Sequence, residues 1–384
     1  FSEFTQIAGY VDPKSELYKE GFRSGDQITK LGNKLYHGRQ DLIYAALGNK
    51  EEIKFKGKKI NYLTKKKTPF DTYIKPQDNE LFPAGIKSIG IVSPASYLLC
   101  QNIMHRDSSL ESTGISINDQ IIWANGELVF SNEQLSDIVN RNKSLLTVQR
   151  GRQIFVCQVP RVMLEHMRLS NQEIREFDDW KYEAGFLSKE SPYKFIPYNL
   201  SYDLKIDKGV QYVDDHAVLK SANLLKEQSS GEISLRNGDK ILAVDGRPIN
   251  DAIQLLKELQ APKMLLIVKR GQKTAISSWK KEDSRFVQQI NKKDLMAIIS
   301  SIGQTNSVRQ AGDYHLVDSI TPYKLKDYPF SIEEKKKFDQ SIKQQKQEAE
   351  KIDNIAERDG YLDRLSQYQN KYILGITLAD KLVR

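Results

Sequence analysis

Apolar and polar residues alternate in three short stretches that share one plan. Asn118-Asp119-Gln120-Ile121-Ile122-Trp123-Ala124-Asn125-Gly126 opens on a turn, alternates, and closes on Asn-Gly. Gly238-Asp239-Lys240-Ile241-Leu242-Ala243-Val244-Asp245-Gly246 repeats it with Asp-Gly, and Gly25-Asp26-Gln27-Ile28-Thr29-Lys30-Leu31-Gly32-Asn33 is a looser copy closed by Gly-Asn. Such a pattern predicts a half-buried strand that ends in a tight turn needing positive φ. A repeat of this kind sets the architecture before any single motif is weighed.

The surroundings of the copies repeat as well. The first is preceded by a strand over 5–11 and by Pro13-Lys14-Ser15-Glu16-Leu17-Tyr18-Lys19-Glu20-Gly21, a helical turn stopped by Gly. A helix over 40–47 and a hairpin turning at Gly57, with arms 53–56 and 59–63, follow it. The second is preceded by a helical turn over 108–114. After it come a helix capped by Ser131 with Gln134 three positions on, and a hairpin over 145–159. The third gives a helix over 251–259 and a strand ending at Arg270-Gly271. From Asp to Arg-Gly the spacing is 150 − 119 = 31 and 270 − 239 = 31, so the second and third copies read as duplicates. Residues 162–179 pattern as an amphipathic helix, with Leu164, Met167, Ile174 and Phe177 on one side. Residues 188–200 read as an ordered connector. A helix over 293–302 and a long polar helix from Ser331, with a possible break at Gly360, lie in an insertion of about 283–370. The thin apolar stripe of the long helix suits a surface strut better than a partner-binding coiled coil.

Three Gly-centred triplets stand near the module ends: Ala84-Gly85-Ile86, Ala184-Gly185-Phe186 and Leu374-Gly375-Ile376. Each fits two readings, an anion-binding concavity of bare N–H groups or a strand with Gly at a tight crossing.

Composition narrows the chemistry. The 384 residues suffice for two to four domains, and no apolar run is long enough to span a bilayer. Starting at Phe1 and ending at Leu382-Val383-Arg384, the chain reads as a piece of a longer protein. Its net charge of +8 is concentrated in Lys54, Lys56, Lys58, Lys59, Lys65, Lys66 and Lys67. That cluster reads first as the solvated face of a hairpin and second as an attraction to anionic headgroups. Aromatic and arginine interleaving for nucleic acid is missing. Cys100 and Cys157 form no CxxC, and their pairing stays open. His37, His105, His166, His216 and His315 include no pair four apart, so there is no HExxH. Nor is there a GxSxG nucleophile motif. Val244-Asp245-Gly246 imitates a zinc-binding Leu-Asp-Gly, but Asn125 at the same place in the second copy marks a turn residue. The sequence therefore offers no catalytic residue, metal ligand or cofactor site of its own.

The order of strand, helical turn, Gly-Asp strand, Asx-Gly turn, helix and hairpin resembles the PDZ domain in its circularly permuted bacterial form. The wording Val11-Asp12-Pro13-Lys14-Ser15 through Glu20-Gly21-Phe22-Arg23-Ser24-Gly25-Asp26 is close to that family's. The resemblance implies an α+β fold of three tandem modules, each a small, mostly antiparallel, partly open β-barrel with a groove helix. They would span 1–88, 89–188 and 205–384, with a connector at 189–204 and the helical insertion inside the third. It also implies that the three Gly triplets are carboxylate-binding loops. The groove walls would be Leu42 and Ile43, Leu135 and Ile138, and Ile253 and Leu256, which equally suit an ordinary core. Tandem permuted PDZ modules, with the stretch Gly90-Ile91-Val92-Ser93-Pro94-Ala95-Ser96-Tyr97-Leu98-Leu99, look most like the extracytoplasmic (periplasmic) insert of site-2 type intramembrane zinc metalloproteases. The resemblance then implies a non-catalytic region of an inner-membrane protease, with zinc held elsewhere in the parent. It would gate substrates for regulated intramembrane proteolysis by binding peptide segments or C-termini of membrane proteins, beside the membrane domain of its own chain. The alternative is a scaffold or secretion-type PDZ protein with no protease.

Overall fold

The computed structural model describes residues 5–48, 52–78, 87–103, 110, 112–186, 192–214, 217–222, 235–271 and 290–382. The chain is α+β, its paired strands are antiparallel, and none of its sheets closes into a barrel among the described residues. The first unit contains β1 (Ala8–Val11), α1 (Glu16–Lys19), β2 (Gln27–Leu31), α2 (Arg39–Gly48), β3 (Ile53–Asn61), β4 (Lys66–Ile74) and β5 (Ile91–Pro94). Strands β2, β3 and β4 form a sheet, and β5 returns to pair with β1. Ser15 caps α1 by accepting from the Tyr18 N–H. Ala8, Leu17, Phe22, Ile28, Phe55 and Ile91 fill the core.

The hairpin expected to turn at Gly57 does not turn there. Strand β3 runs straight through, pairs with β4 along its whole length, and the chain reverses at 62–65. Gly57 is needed for a close approach instead. A Cβ there would lie 2.7 Å from the Gln27 carbonyl oxygen and 2.8 Å from the Phe22 ring.

Past β5 the chain forms β6 (Ser96–Ile103), β7 (Gln120–Ala124), α3 (Asn132–Asn140), β8 (Lys143–Arg150) and β9 (Gln153–Pro160). Then come α4 (Asn171–Glu183), β10 (Tyr198–Leu200), β11 (Ile206–Gly209), β12 (Lys240–Val244) and α5 (Ala252–Glu258). The remainder is β13 (Leu266–Lys269), α6 (Lys292–Ile299), β14 (Tyr314–Leu316), α7 (Ile332–Glu350), α8 (Ile355–Asn370) and β15 (Ile376–Leu382).

The pairing of these strands departs from sequential modules. Strand β7 pairs not with β8, the hairpin that follows it, but with β13, and β12 pairs with β8. Strand β15 at the far end returns to β6, whereas β10 pairs with its neighbour β11. The segment from β8 to α5 is therefore an inner unit nested within an outer one, which is made of β6, β7 and α3 together with everything after α5. A boundary near 188 cuts the inner unit in two. The cores agree: Leu146, Val148, Ile241, Leu255 and Leu256 share one cluster, and Leu98, Ile121, Leu135, Leu266 and Val268 share another.

Side chains lock this exchange symmetrically. Arg150 forks onto Asp239 at 2.8 and 2.7 Å, and Arg270 forks onto Asp119 at 2.8 and 2.7 Å. The equal spacing of Asp and Arg along the sequence thus serves crossed partners. The closing turns cross too. Asn125 Oδ1 accepts from the Leu265 N–H at 2.7 Å, and Asp245 Oδ1 accepts from the Leu145 N–H at 2.8 Å. Both turn residues hold positive φ, which short Asx side chains tolerate.

Two helical expectations also change. Residues 162–179 are not one helix. Val162–Met163 is extended, Leu164–His166 is a 3-10 turn, and α4 starts after Ser170, whose hydroxyl and Glu173 form a capping box. The long helix breaks at 351–354, not at Gly360, because Asn354 caps a new helix by accepting from the Ala356 and Glu357 N–H groups.

Double-mutant cycles by chemical denaturation test the nesting. Alanine at Asp119 and Arg270 should show a coupling of about 1–3 kcal/mol, as should Asp239 with Arg150. Asp119 with Arg150 should be additive within about 0.5 kcal/mol. The reverse pattern would mean sequential modules.

Candidate functional site

One arrangement recurs in all three units just before β5, β10 and β15. A two-residue ribbon pairs Gln77–Asp78 with Lys87–Ser88, Tyr323–Lys324 with Tyr372–Ile373, and Val162–Met163 with Lys194–Phe195. Each is followed by an apolar residue, a Gly or Pro, and a strand: Ile89-Gly90 into β5, Leu374-Gly375 into β15, and Ile196-Pro197 into β10. In the outer and inner units an amide at or just past the helix end clamps the ribbon. Asn140 accepts from the Tyr372 N–H at 2.8 Å and donates to its carbonyl at 3.1 Å. Gln260 does the same to Lys194, with both bonds at 3.0 Å. The clamps fix which helix stands beside which strand.

Of the two Gly triplets within the described residues, one falls at this place. Leu374-Gly375-Ile376 does, with Gly375 at φ +71° and Leu374 buried. A Cβ on Gly375 would lie 3.0 Å from Leu110 and 3.2 Å from the Tyr328 ring. Ala84-Gly85-Ile86 lies outside the described residues. Ala184-Gly185-Phe186 is the end of α4, and its three N–H groups donate to the carbonyls of Trp180, Tyr182 and Lys181. They close the helix in a Schellman-type cap with Gly185 at φ +81°, so they have no free donors to offer an anion. The positions missed are Ile89-Gly90-Ile91 and Ile196-Pro197-Tyr198. The first has a visible signal, since Ile-Gly-Ile matches Leu-Gly-Ile. The second hides behind Pro197, which has no N–H to donate.

The groove-wall candidates divide by exposure. Leu42, Leu135, Ile138 and Leu256 are buried in their cores, Ile253 is half-buried, and Ile43 is exposed. Strands β5, β10 and β15 each leave one edge unpaired among the described residues. The clefts beside them are not equivalent. In the inner unit α4 packs on α5, with Phe177 and Trp180 in one cluster with Phe195, Leu255, Leu256 and Leu259. The Phe177 and Phe195 rings meet at 4.7 Å, and Glu173 accepts from the Asn199 side chain of β10 at 3.1 Å. Helix α4 thus touches both walls of the inner cleft. Its counterpart in the outer unit is α7, with Ser331, Glu334, Phe338 and Asp339 each 161 residues after Ser170, Glu173, Phe177 and Asp178 (331 − 170). Yet α7 packs on α8, and Phe338 stacks on Phe330 at 5.3 Å. The cleft between α3 and β15 keeps Ile376 and Leu378 half-exposed.

Titratable groups serve the fold. No group of three or more His, Cys, Asp or Glu side chains gathers as a metal site among the described residues. The donors present do not fit zinc, and Asp245 is engaged as a latch. Cys100 and Cys157 are both free and buried, in different cores. Burial pushes the Cys157 thiol up to about 12 and the Cys100 thiol to about 11. For Asp239 burial acts upward, but the Arg150 fork and the Arg236 N–H outweigh it, and the carboxyl sits below its ordinary value. Asp245 has no such fork, and burial raises it to about 6.

The pH consequence has a definite sign. Asp245 holds its proton more tightly folded than unfolded, so its charge opposes folding above about pH 6 and the cost vanishes below about pH 4. Asp245→Asn, the residue already present at position 125, should stabilise the protein at pH 7.5 by at most about 3 kcal/mol. The gain should shrink toward zero at about pH 4, as followed by denaturant titration at several pH values. A gain independent of pH would contradict this account.

No family model matches the chain. Two curated proteins are similar along its whole length. One, named "Putative zinc metalloprotease", is from Chlamydia pneumoniae and is 29% identical over 389 residues. The other, of the same name, is from Chlamydia trachomatis serovar D and is 28% identical over 395 residues. The alignments cover 100% of this chain and 58% of each relative, so the chain spans little more than half of their length. The similarity is to proteins of that name, and among the described residues no helix is long and apolar enough to cross a membrane.

Proposed function

We propose that this chain is the non-catalytic, extracytoplasmic peptide-binding region of a membrane-embedded site-2 type zinc metalloprotease, built from three PDZ-like units. The zinc and its ligands belong to the remainder of the parent, as the names of the relatives suggest. The region acts in regulated intramembrane proteolysis by engaging extended segments or C-termini of membrane proteins and so filtering what reaches the protease. It faces the periplasm beside the membrane domain of its own chain.

The observation that carries this reading is the outer cleft. The Leu374-Gly375-Ile376 loop, the open edge of β15 and helix α3 offer the three parts that strand addition needs: an N–H concavity, a hydrogen-bonding edge and an apolar wall. The first unit offers a comparable edge at β5 beside α2, with Ile43 exposed on the helix, but its Gly90 N–H already donates to the Ser88 hydroxyl at 3.0 Å. The inner cleft is filled by α4 and lacks an N–H at Pro197, so it does not take part.

Calorimetric titration with C-terminal peptides tests it. Binding should weaken at least about tenfold when the peptide carboxylate is amidated, since a charged acceptor on N–H donors is worth more than 1.4 kcal/mol. Gly375→Val should weaken it similarly through the strained φ and the crowding by Leu110, whereas Gly185→Val should leave affinity unchanged. Equal affinity for the amidated peptide would contradict the carboxylate loop. A parent reading frame without a His-Glu-x-x-His segment would leave a scaffold protein in place of the protease.

A further inference from the structure

The sheet of the first unit buries one face and shows the other to solvent. On the exposed face the strand register sets Lys30 beside Lys56 and Asp71, Gln27 beside Lys58, and Lys54 beside Tyr73. Lys67 reaches Gln27 at 3.4 Å and so joins the same face. Leu35, paired with Lys30, is 58% exposed, and Tyr73 is 60% exposed. Lys54 lies 5.6 Å from the Tyr73 ring. The only acid that the register places on this face is Asp71, 3.2 Å from Lys56 and 3.9 Å from Lys54. Five lysines against one aspartate give a net of +4, half of the chain's +8, on a single twisted surface.

We propose that this face docks on an anionic lipid bilayer. Lysines on flexible stems match a diffuse layer of phosphate headgroups, which asks for point charges and no fixed geometry. Exposed Tyr73 and Leu35 supply the amphipathic ring and the small apolar contact that interfaces favour. A nucleic acid would call for arginine forks and stacking rings, and the face has no arginine among these residues. Each lysine near such a surface raises partition about fivefold, so four net charges give roughly several-hundredfold. That is weak for a free protein and ample for one tethered beside a membrane. The docking deepens the proposed membrane-protease reading, because it sets the distance and tilt of the peptide clefts relative to the bilayer.

The whole chain is mixed with phosphatidylcholine vesicles, with and without about one third phosphatidylglycerol, and bound protein is measured by co-flotation at low and high salt. Binding should require phosphatidylglycerol and fall with salt. Lys54→Gln with Lys56→Gln and Lys58→Gln should lose about a hundredfold. Asp71→Asn should gain about fivefold, with a circular dichroism spectrum and unfolding transition unchanged from the parent's. Lys335→Gln with Lys336→Gln and Lys337→Gln, on α7, should change nothing. The proposal fails if vesicles without phosphatidylglycerol bind equally, if the α7 variant loses as much as the sheet variant, or if an oligonucleotide binds the face while the vesicles do not. Peptide titration of the sheet variant separates this from the proposed cleft function, since affinity for peptide should be unaltered.

Discussion

Two crossed carboxylate–guanidinium forks hold the larger part of this molecule together. Asp119 and Asp239 are each about 1% exposed, and each opens a strand whose hydrogen-bonded neighbour comes from the other half of the chain. A buried carboxylate without a partner would be costly, and a fork repays its desolvation with two charge-assisted bonds. The Asx latches at Asn125 and Asp245 then set the register of the same two pairings from the far end of each strand. With both ends pinned, the position of α3 and α5 beside the returning strands follows, and with it the shape of the two clefts.

Much of this was readable from the sequence, up to the point where local chemistry is degenerate. The repeat, its turns, its helix caps at Ser131 and Asp251 and the equivalence of Asp119 with Asp239 are all local features. The choice of partner is not local. Arg150 and Arg270 close stretches of nearly the same wording, which Leu145 and Leu265 open, so either exchange satisfies every local rule, and only the packing of whole units decides. Gly57 shows the converse: a glycine inside a strand pattern reads as a turn, whereas the Phe22 ring and the Gln27 carbonyl demand its missing side chain. The triplet at 184–186 is a similar case. A Gly after an amphipathic helix is first of all a helix cap, and its donors are spent there.

Duplication followed by divergence explains the difference between the two clefts. Ser170 and Ser331 begin helices with the same capping box, and Phe177 and Phe338 hold the same place on them. In the inner unit the aromatic ring, joined by Trp180, packs into the cleft and closes it. In the outer unit the helix lengthens, doubles back as α8 and keeps Phe338 against Phe330, which leaves β15 with an open edge. Phe177 thereby belongs to the core of the inner unit, whereas Phe338 packs beside Phe330 in the outer one.

The nesting is the claim on which the cleft geometry rests, and excision tests it most directly. Residues 143–263 are expressed alone, and in parallel the chain is made with 142 joined to 264 by a short flexible linker. Denaturant unfolding of both, followed by circular dichroism, should give cooperative transitions, because each piece contains all of its own strand partners. If both pieces are unfolded while the sequential halves 96–200 and 201–382 fold, the strands are not exchanged and the account is wrong.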